Sequence, residues 1–290
     1  MSAGTEIPLV ERVSELRDAV EAARAQGGSV GLVPTMGYLH EGHQSLVTRS
    51  AAENDLTVVS IFVNPLQFAE GEDYGTYPRD LERDREMCAA AGAGLVFAPS
   101  ADDMYPQTPI TSVTVKGLNA VLEGLVRPTH FDGVATVVAK LFAMLGPGRA
   151  YFGEKDYQQL AIIRRMTADL SLPVEVVGCP TFRESDGLAM SSRNVYLTAE
   201  ERPAATVLWR SLQAGRDAVV QGSRSPDEVE AVMAAVLAAE PKASPDYAAV
   251  VDAATLDRPD VLDGELRLLV AARVGRARLI DNLGVDCARL

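Results

Sequence analysis

Apolar positions follow two alternating patterns over the first two-thirds of the chain. Residues 11–26 place Val13, Leu16, Val20 and Ala23 at helical spacing and stop at Gly27-Gly28, which predicts a helix and its end. Val30-Gly31-Leu32-Val33 is a short apolar run, read as a buried strand, and Ser45-Leu46-Val47 lies in a helical pattern soon after it. Residues 56–63, Leu-Thr-Val-Val-Ser-Ile-Phe-Val, form a continuous β-branched run of the kind found in a central strand covered on both faces. The same reading predicts helices over 80–91, 131–145 and 157–170 and strands over 95–97, 150–152 and 174–177. The 131–145 helix is strongly apolar, consistent with burial against a sheet. Alternation of this kind predicts an α/β fold, a Rossmann-like doubly wound parallel sheet whose ligands bind beyond the carboxyl ends of its strands.

The pattern changes after about residue 194. Residues 199–220 and 227–239 read as helices rich in Ala and Leu, followed by strands over 247–251, 266–272 and 277–281. Arg273-Val274-Gly275-Arg276 is the expected hairpin between the last two. This predicts a smaller C-terminal α+β domain. The division is expected as 1–184, a Rossmann-like ligand-binding domain, and 185–290, a lid over its site.

Composition narrows the function class. The 290 residues are 47% hydrophobic, ordinary for a globular protein, and no run approaches the length of a membrane span. The first six residues lack a basic stretch followed by an apolar one, so no signal peptide is expected. Cys88, Cys179 and Cys287 are odd in number and far apart, matching neither a disulfide framework nor a zinc pattern, which points to a reduced, cytoplasmic protein. The net charge of −13 argues against a nucleic-acid surface; an anionic substrate would need a local basic pocket. No nucleic acid and no membrane is expected as a partner.

The strongest chemical signal is Pro34-Thr35-Met36-Gly37-Tyr38-Leu39-His40-Glu41-Gly42-His43, which holds two of the three histidines where a strand turns into a helix. A helix start offers unpaired N–H groups and the positive end of the dipole to a phosphate. Imidazoles three residues apart project from the same side and can donate to phosphoryl oxygens. Asn64-Pro65-Leu66-Gln67-Phe68 leaves two neutral amides at a strand tip, able to hold hydroxyls or a carboxylate, although an ordinary Asn-Pro turn would look the same. Phe152-Gly153-Glu154-Lys155-Asp156-Tyr157-Gln158-Gln159 puts a lysine at a helix start, an unfavourable place unless an anion binds there. Met190-Ser191-Ser192-Arg193-Asn194 places two hydroxyls beside a guanidinium, a weak signal for a triphosphate. Arg127-Pro128-Thr129-His130 sets the third histidine before the long apolar helix. Asp80, Glu82 and Asp84 either hold Mg²⁺ or form a favourable acidic first turn.

Together, Pro-Thr-Met-Gly-Tyr-Leu-His-Glu-Gly-His, Ile-Phe-Val-Asn-Pro-Leu-Gln-Phe, Arg-Pro-Thr-His-Phe-Asp-Gly-Val, Tyr-Phe-Gly-Glu-Lys-Asp-Tyr-Gln-Gln-Leu and Asp-Gly-Leu-Ala-Met-Ser-Ser-Arg-Asn resemble the pantothenate synthetase (pantoate–β-alanine ligase) family, in its order, over residues 34–194. His-x-Gly-His alone marks the wider nucleotidyltransferase superfamily. The resemblance implies a ligase that condenses pantoate with β-alanine through a pantoyl-adenylate, releasing AMP and pyrophosphate, with Mg²⁺ accompanying ATP. It implies a homodimer. It implies that His40, His43, Lys155, Ser191, Ser192 and Arg193 act on the phosphates. Pro34, Thr35, Met36, Gly37, Gly42, Gly153, Asp156, Phe182 and Met190 would complete the ATP site, while Met36, Asn64, Gln67, His130 and Gln159 would bind pantoate. Two departures stand out. Arg83 occupies a place where the family usually has an acidic residue, leaving Asp84 as the candidate metal ligand. Phe182 is bulkier than the aliphatic residue expected before the Arg-Glu pair. Another adenylyl acceptor, such as a nucleotide or phosphopantetheine, would use the same histidine motif. It should, however, meet more cationic side chains than lie beside Gln67 and Gln159. A non-catalytic nucleotide sensor should have lost His43, Lys155 or the Ser-Ser-Arg run.

Overall fold

The computed structural model describes residues 7–69, 71, 72 and 74–289; the leader reading of residues 1–6 lies outside them. The chain forms two compact units. One runs to Gly153 and resumes over Gln158–Cys179; the other comprises Glu154–Tyr157 and everything from Pro180 onward. The expected division at 184/185 therefore differs from the observed one by a few residues and by the short 154–157 excursion.

The first unit is built from β1 (Leu9–Val10), α1 (Val13–Ala25), β2 (Val30–Thr35), α2 (Glu41–Glu53), β3 (Leu56–Ile61), α3 (Leu81–Ala90), β4 (Leu95–Phe97), α4 (Ala101–Met104), α5 (Glu123–Val126), α6 (His130–Leu145), β5 (Gly148–Gly153), α7 (Tyr157–Asp169) and β6 (Val174–Cys179). Its strands form one parallel sheet in the order β1-β4-β3-β2-β5-β6. The order reverses between β2 and β5, so the carboxyl ends of those two strands flank the topological switch point.

Adjacent strand residues point to opposite faces, and both faces are covered. Leu32, Val58, Phe97, Ala150 and Phe152 pack with Leu16 and Val20 of α1, Val134 and Leu141 of α6, and Leu160 of α7. Val33, Val59, Val96 and Tyr151 pack with Leu46 and Val47 of α2 and with Cys88 of α3. A Cβ on Gly31 would lie 2.2 Å from Ser50 Oγ, so glycine lets α2 close down on β2.

The second unit contains α8 (Glu201–Ala204), α9 (Val207–Val220), α10 (Pro226–Ala238), β7 (Ala243–Asp252), β8 (Glu265–Val274) and β9 (Ala277–Asp286). The three strands form an antiparallel sheet in the order β7-β8-β9. Leu208, Leu212, Val229 and Met233 of the helices pack on Val250, Leu268, Val270 and Leu279. The predicted hairpin is present: Val274 pairs with Ala277, and Gly275 takes the φ of +57° that opens the two-residue turn.

The predicted 199–220 helix is split. Thr206 N–H and Oγ1 both donate to the Pro203 carbonyl, at 3.2 and 2.7 Å, and this tighter turn interrupts the helix between α8 and α9. Neither β1, α4 nor α5 was predicted, because two to four residues carry no readable period. The three cysteines are free thiols, and no helix among the described residues is long and apolar enough to cross a membrane.

Candidate active site

The end of β2 opens into a loop of unusual backbone shape. Gly37 has φ +82°, and Tyr38, which is not a glycine, has φ +49°. The source of this shape is Asp84 on α3. Its carboxylate accepts the N–H of Tyr38 at 2.7 Å and of Leu39 at 2.7 Å, one on each oxygen. Thr35 Oγ1 adds a third brace, donating to the Ser60 carbonyl at 2.8 Å and accepting the Gly37 N–H at 3.2 Å. A Cβ on Gly37 would approach Asp84 Oδ2 to 2.9 Å, so glycine is required by both space and dihedral angle. Pro34, Thr35, Met36 and Gly37 thus deliver the chain to α2 in one fixed path.

His40 is the N-cap of α2, and its N–H donates to His43 Nδ1 at 3.4 Å. The two rings lie 4.1 Å apart, centroid to centroid, tilted by 36°. Gly42 sits between them in the first turn. The paired imidazoles therefore stand at the positive end of a 13-residue helix, where an anion is stabilised.

Asp84 is 1% exposed, and burial pushes its carboxyl above the usual carboxylate range while the two N–H donors pull the other way. Arg83 reaches Asp84 Oδ1 at 3.8 Å and lies over the Tyr38 ring, 5.3 Å from its centroid. Asp84 is also the candidate metal ligand named from the sequence. Both of its oxygens hold the loop, and no cluster of three His, Cys, Asp or Glu among the described residues suits a metal ion. The other two acidic residues serve α3 itself: Asp80 caps it through the Arg83 N–H, and Glu82 lies in its first turn. Among the described residues, then, no side-chain cage for Mg²⁺ is present. Cys88, on the same helix, is buried, and burial with help from Asp84 pushes its thiol up to about 12.

The amide pair lies beside this loop. Gln67 Nε2 donates to Met36 Sδ at 3.0 Å. Asn64 Nδ2 donates to Gln67 Oε1 at 3.2 Å and to the Gly133 carbonyl at 3.1 Å, while its Oδ1 accepts from Tyr105 Oη at 2.9 Å and Leu66 N–H at 3.3 Å. Asn64 is 1% exposed and its hydrogen-bonding capacity is full, so it orients Gln67. Burial pushes the Tyr105 phenol up to about 12, which keeps it a donor. Gln67 retains one N–H and one lone pair for another partner. Its carbonyl meets His130 Nδ1 at 2.9 Å and Arg127 Nη2 at 3.3 Å. Arg127 also pairs with Glu72 at 2.6 Å, closing the loop from the other side. Any Cβ on Gly133 would meet the Leu66 carbonyl at 2.2 Å, so α6 can approach this turn only through glycine.

Met36, Asn64, Gln67 and His130 therefore form one hydrogen-bonded group. Gly153 ends β5, the neighbour of β2, and Gln159 lies half-buried in the first turn of α7. Gln158, rather than Gln159, is the structural glutamine: it donates to the Leu118 and Val121 carbonyls, both at 2.8 Å, and accepts the Glu123 N–H at 3.1 Å.

In the second unit, Lys155 lies in a 3₁₀ turn spanning Glu154–Asp156, with Nζ 3.4 Å from Asp156 Oδ1. Phe182 and Met190 face each other across a tight hairpin, joined by the Met190 N–H to the Phe182 carbonyl at 3.0 Å. Phe182 is 42% exposed. Gly187 turns that hairpin at φ +92°, packed so closely on Trp209 that a Cβ would lie 2.0 Å from its ring. The hairpin leads into Ser191, whose Oγ accepts the Arg193 N–H at 3.2 Å and starts the Ser192–Tyr196 turn. The 154–156 and 192–196 turns both pack against β9.

Long-range partners fix this hairpin. Arg183 forms a double ion pair with Asp281, at 2.6 and 2.9 Å, and lies 4.0 Å over the Trp209 ring. Burial pushes the Asp281 carboxyl up, and Arg183 opposes that shift. Arg202 holds Glu184 at 2.7 Å and Asp186 at 2.8 Å. None of these residues was singled out from the sequence. A signal existed: Asp281-Asn282 interrupts an apolar strand, and buried polar residues need partners.

A family model described as pantoate-beta-alanine ligase matches residues 8–284. Pantothenate synthetase from Allorhizobium ampelinum is 53% identical over 274 residues, 94% of this chain and 95% of that one. The Moorella thermoacetica pantothenate synthetase is 50% identical over 278 residues, 96% of this chain and 98% of its own. The crystal structure of pantothenate synthetase from Thermus thermophilus superposes with a TM-score of 0.90 at 53% identity, covering 96% of this chain and 99% of that one. That of Francisella tularensis pantoate-beta-alanine ligase, complexed with beta-gamma ATP and beta-alanine, has a TM-score of 0.78 at 32% identity, covering 96% and 97%. With its sheet order, its glycine-shaped histidine loop and matches that span nearly its whole length, this chain belongs to the pantoate–β-alanine ligase family.

Proposed function

We propose that this ligase works in two steps through a pantoyl-adenylate. In the first, a carboxylate oxygen of pantoate attacks the α-phosphorus of ATP and pyrophosphate leaves. In the second, the amine of β-alanine attacks the acyl carbon, the C–O bond breaks, and AMP leaves with the former carboxylate oxygen. Neither step needs a covalent enzyme intermediate, so catalysis rests on positioning and on neutralising phosphate charge.

The observation that carries this reading is the grouping at the end of β2. Paired imidazoles at a helix start lie on the same loop as Met36, which touches Gln67. On this reading His40 and His43 donate to phosphoryl oxygens. Lys155, Ser191, Ser192 and Arg193 neutralise phosphate charge. Gly37, Gly42 and Gly153 allow backbone to approach the nucleotide, and Asp156, Phe182 and Met190 contribute to adenosine binding. Gln67 and Gln159 hold pantoate, with Asn64 and His130 fixing Gln67. A neutral amide suits a hydroxy-carboxylate better than a phosphorylated acceptor, which would call for cations. Mg²⁺ enters as part of the MgATP substrate, in keeping with its habit of binding through phosphates and water. The same reading takes the protein as a cytoplasmic homodimer, which light scattering would test as twice the chain mass.

The test of the intermediate is isotopic. Pantoate labelled with ¹⁸O in its carboxylate should transfer one label to AMP in each turnover with β-alanine. The departing carboxylate oxygen found in pyrophosphate or water, and not in AMP, would rule out the adenylate route.

A further inference from the structure

The chemistry above places a lysine on a 3₁₀ turn of three residues, too short to hold its own geometry. The second unit supplies what the turn lacks. Asn282 of β9 is 3% exposed, and its Nδ2 donates to two successive carbonyls of the turn, Glu154 and Lys155, both at 2.8 Å. Those two bonds use both N–H groups of the amide. Its Oδ1 accepts from Arg267 Nη1 at 3.1 Å, which fixes which way the amide faces. Arg267 is itself locked, with its guanidinium 3.7 Å from the centre of the Tyr157 ring and 3.4 Å from Glu154 Oε2. The turn is thus gripped on both sides of Lys155: through the carbonyls of residues 154 and 155, and through the ring of residue 157, whose hydroxyl donates to the Ala253 carbonyl at 2.8 Å.

We infer that Asn282 is a positioning residue for Lys155, holding the main chain of the turn so that the ammonium group is aimed without rearrangement during phosphate chemistry. This rests on the role proposed for Lys155. The physical reason is direct. Preorganised charge is effective because it needs no movement at the moment of reaction, and a shift of about 1 Å in such a group can lower a rate by about a hundredfold. A buried carboxamide that donates twice to adjacent carbonyls is a specific clamp: aspartate has the same shape but no N–H to give. The neighbouring Asp281 holds Arg183 on the hairpin that leads to Ser191–Arg193, so one dipeptide of β9 reaches both turns.

The experiment compares wild type, Asn282→Ala, Asn282→Asp, Lys155→Ala and Lys155→Ala/Asn282→Ala in pantoate-dependent exchange of labelled pyrophosphate into ATP. Amide hydrogen exchange is followed on the same proteins. Asn282→Ala and Asn282→Asp should each slow exchange at saturating ATP by about tenfold or more, and the double variant should match Lys155→Ala within about twofold, since residues acting as a unit are non-additive. Amide protection should fall over 154–157 and stay unchanged in the rest of β7–β9. Wild-type rates in both Asn282 variants, or a double variant slowed by the full product of the single effects, would overturn the inference. So would loss of protection throughout the unit, or failure of both variants to fold, since either makes Asn282 a general packing residue. Absence of exchange by wild type would sink the adenylate reading instead, and the amide protection of 154–157 would still decide whether Asn282 holds the turn.

Discussion

The two units hold their candidate site residues by different means. In the first, the path from β2 into α2 is set mostly by local backbone, a strand end, a glycine at positive φ and a helix N-terminus, with one distant side chain, Asp84, accepting two consecutive N–H groups from 45 and 46 residues away. In the second, short turns carry Lys155 and Ser191–Arg193, and side chains far along the chain hold them, Asn282 from 127 residues away and Asp281 gripping Arg183 from 98. The first arrangement is largely local and writes itself into a contiguous motif. The second depends on the completed sheet. A glycine-shaped loop and a clamped turn can both preorganise charge, but they should fail differently when cut.

The largest effect should come from the charged groups themselves. His43→Ala and Lys155→Ala should each lower pantoate-dependent exchange by at least about a hundredfold, with circular dichroism and thermal unfolding close to wild type. Near-wild-type turnover from either variant would remove that residue from the phosphate chemistry.

Cutting the backbone device comes next. Asp84→Ala leaves the Tyr38 and Leu39 N–H groups without their acceptor and should destabilise the first unit by about 3 kcal/mol. Asp84→Asn, which can accept only one of them well, should fall between. Both should lower activity along with the midpoint of chemical unfolding. An Asp84→Ala protein as stable as wild type would mean that the loop holds its shape without the carboxylate.

A smaller, more selective effect is expected at the amide pair. Gln67→Ala should raise the KM for pantoate by about tenfold while leaving that for ATP nearly unchanged, as expected for one lost hydrogen bond. Equal losses for both substrates would place Gln67 outside the pantoate site.

The smallest effect is in pH dependence. The Arg127 guanidinium, hydrogen-bonded to Glu72, holds that carboxyl below its ordinary value. A lowered carboxylate contributes stability above its unfolded pKa and loses it as pH falls through the folded one. The advantage of wild type over Glu72→Gln should therefore be present at pH 7, at no more than about 1 kcal/mol, begin to shrink as pH falls through the ordinary glutamate value of about 4.3, and vanish once the folded carboxylate is protonated. A difference that grew on acidification would reverse the assigned sign.

What could be read from the sequence follows the same contrast. The run Val30–Val33, the helix from Glu41 and the strand at Leu95–Phe97 were legible because apolar period and chain punctuation act over a few residues. His40, His43, Gln67 and Lys155 stood out because their residue types were out of place for ordinary strand ends. Asp84 was visible, but its hold on the Tyr38 and Leu39 N–H groups was not, since an acidic residue in a first helical turn looks the same whatever its carboxylate meets. Asn282, Arg267 and Arg183 were not singled out, since their meaning lies in pairings across 15 to 128 residues that only the folded sheet creates. The split between α8 and α9 was hidden for a related reason, as one threonine hydroxyl competing for a carbonyl leaves no trace in the apolar period.

On the proposed route the chain activates pantoate by adenylation. The most direct test is exchange of labelled pyrophosphate into ATP with Mg²⁺ and pantoate present and β-alanine absent. Exchange should require pantoate and be lost in His43→Ala. A folded, ATP-binding protein that shows no pantoate-dependent exchange would contradict that route.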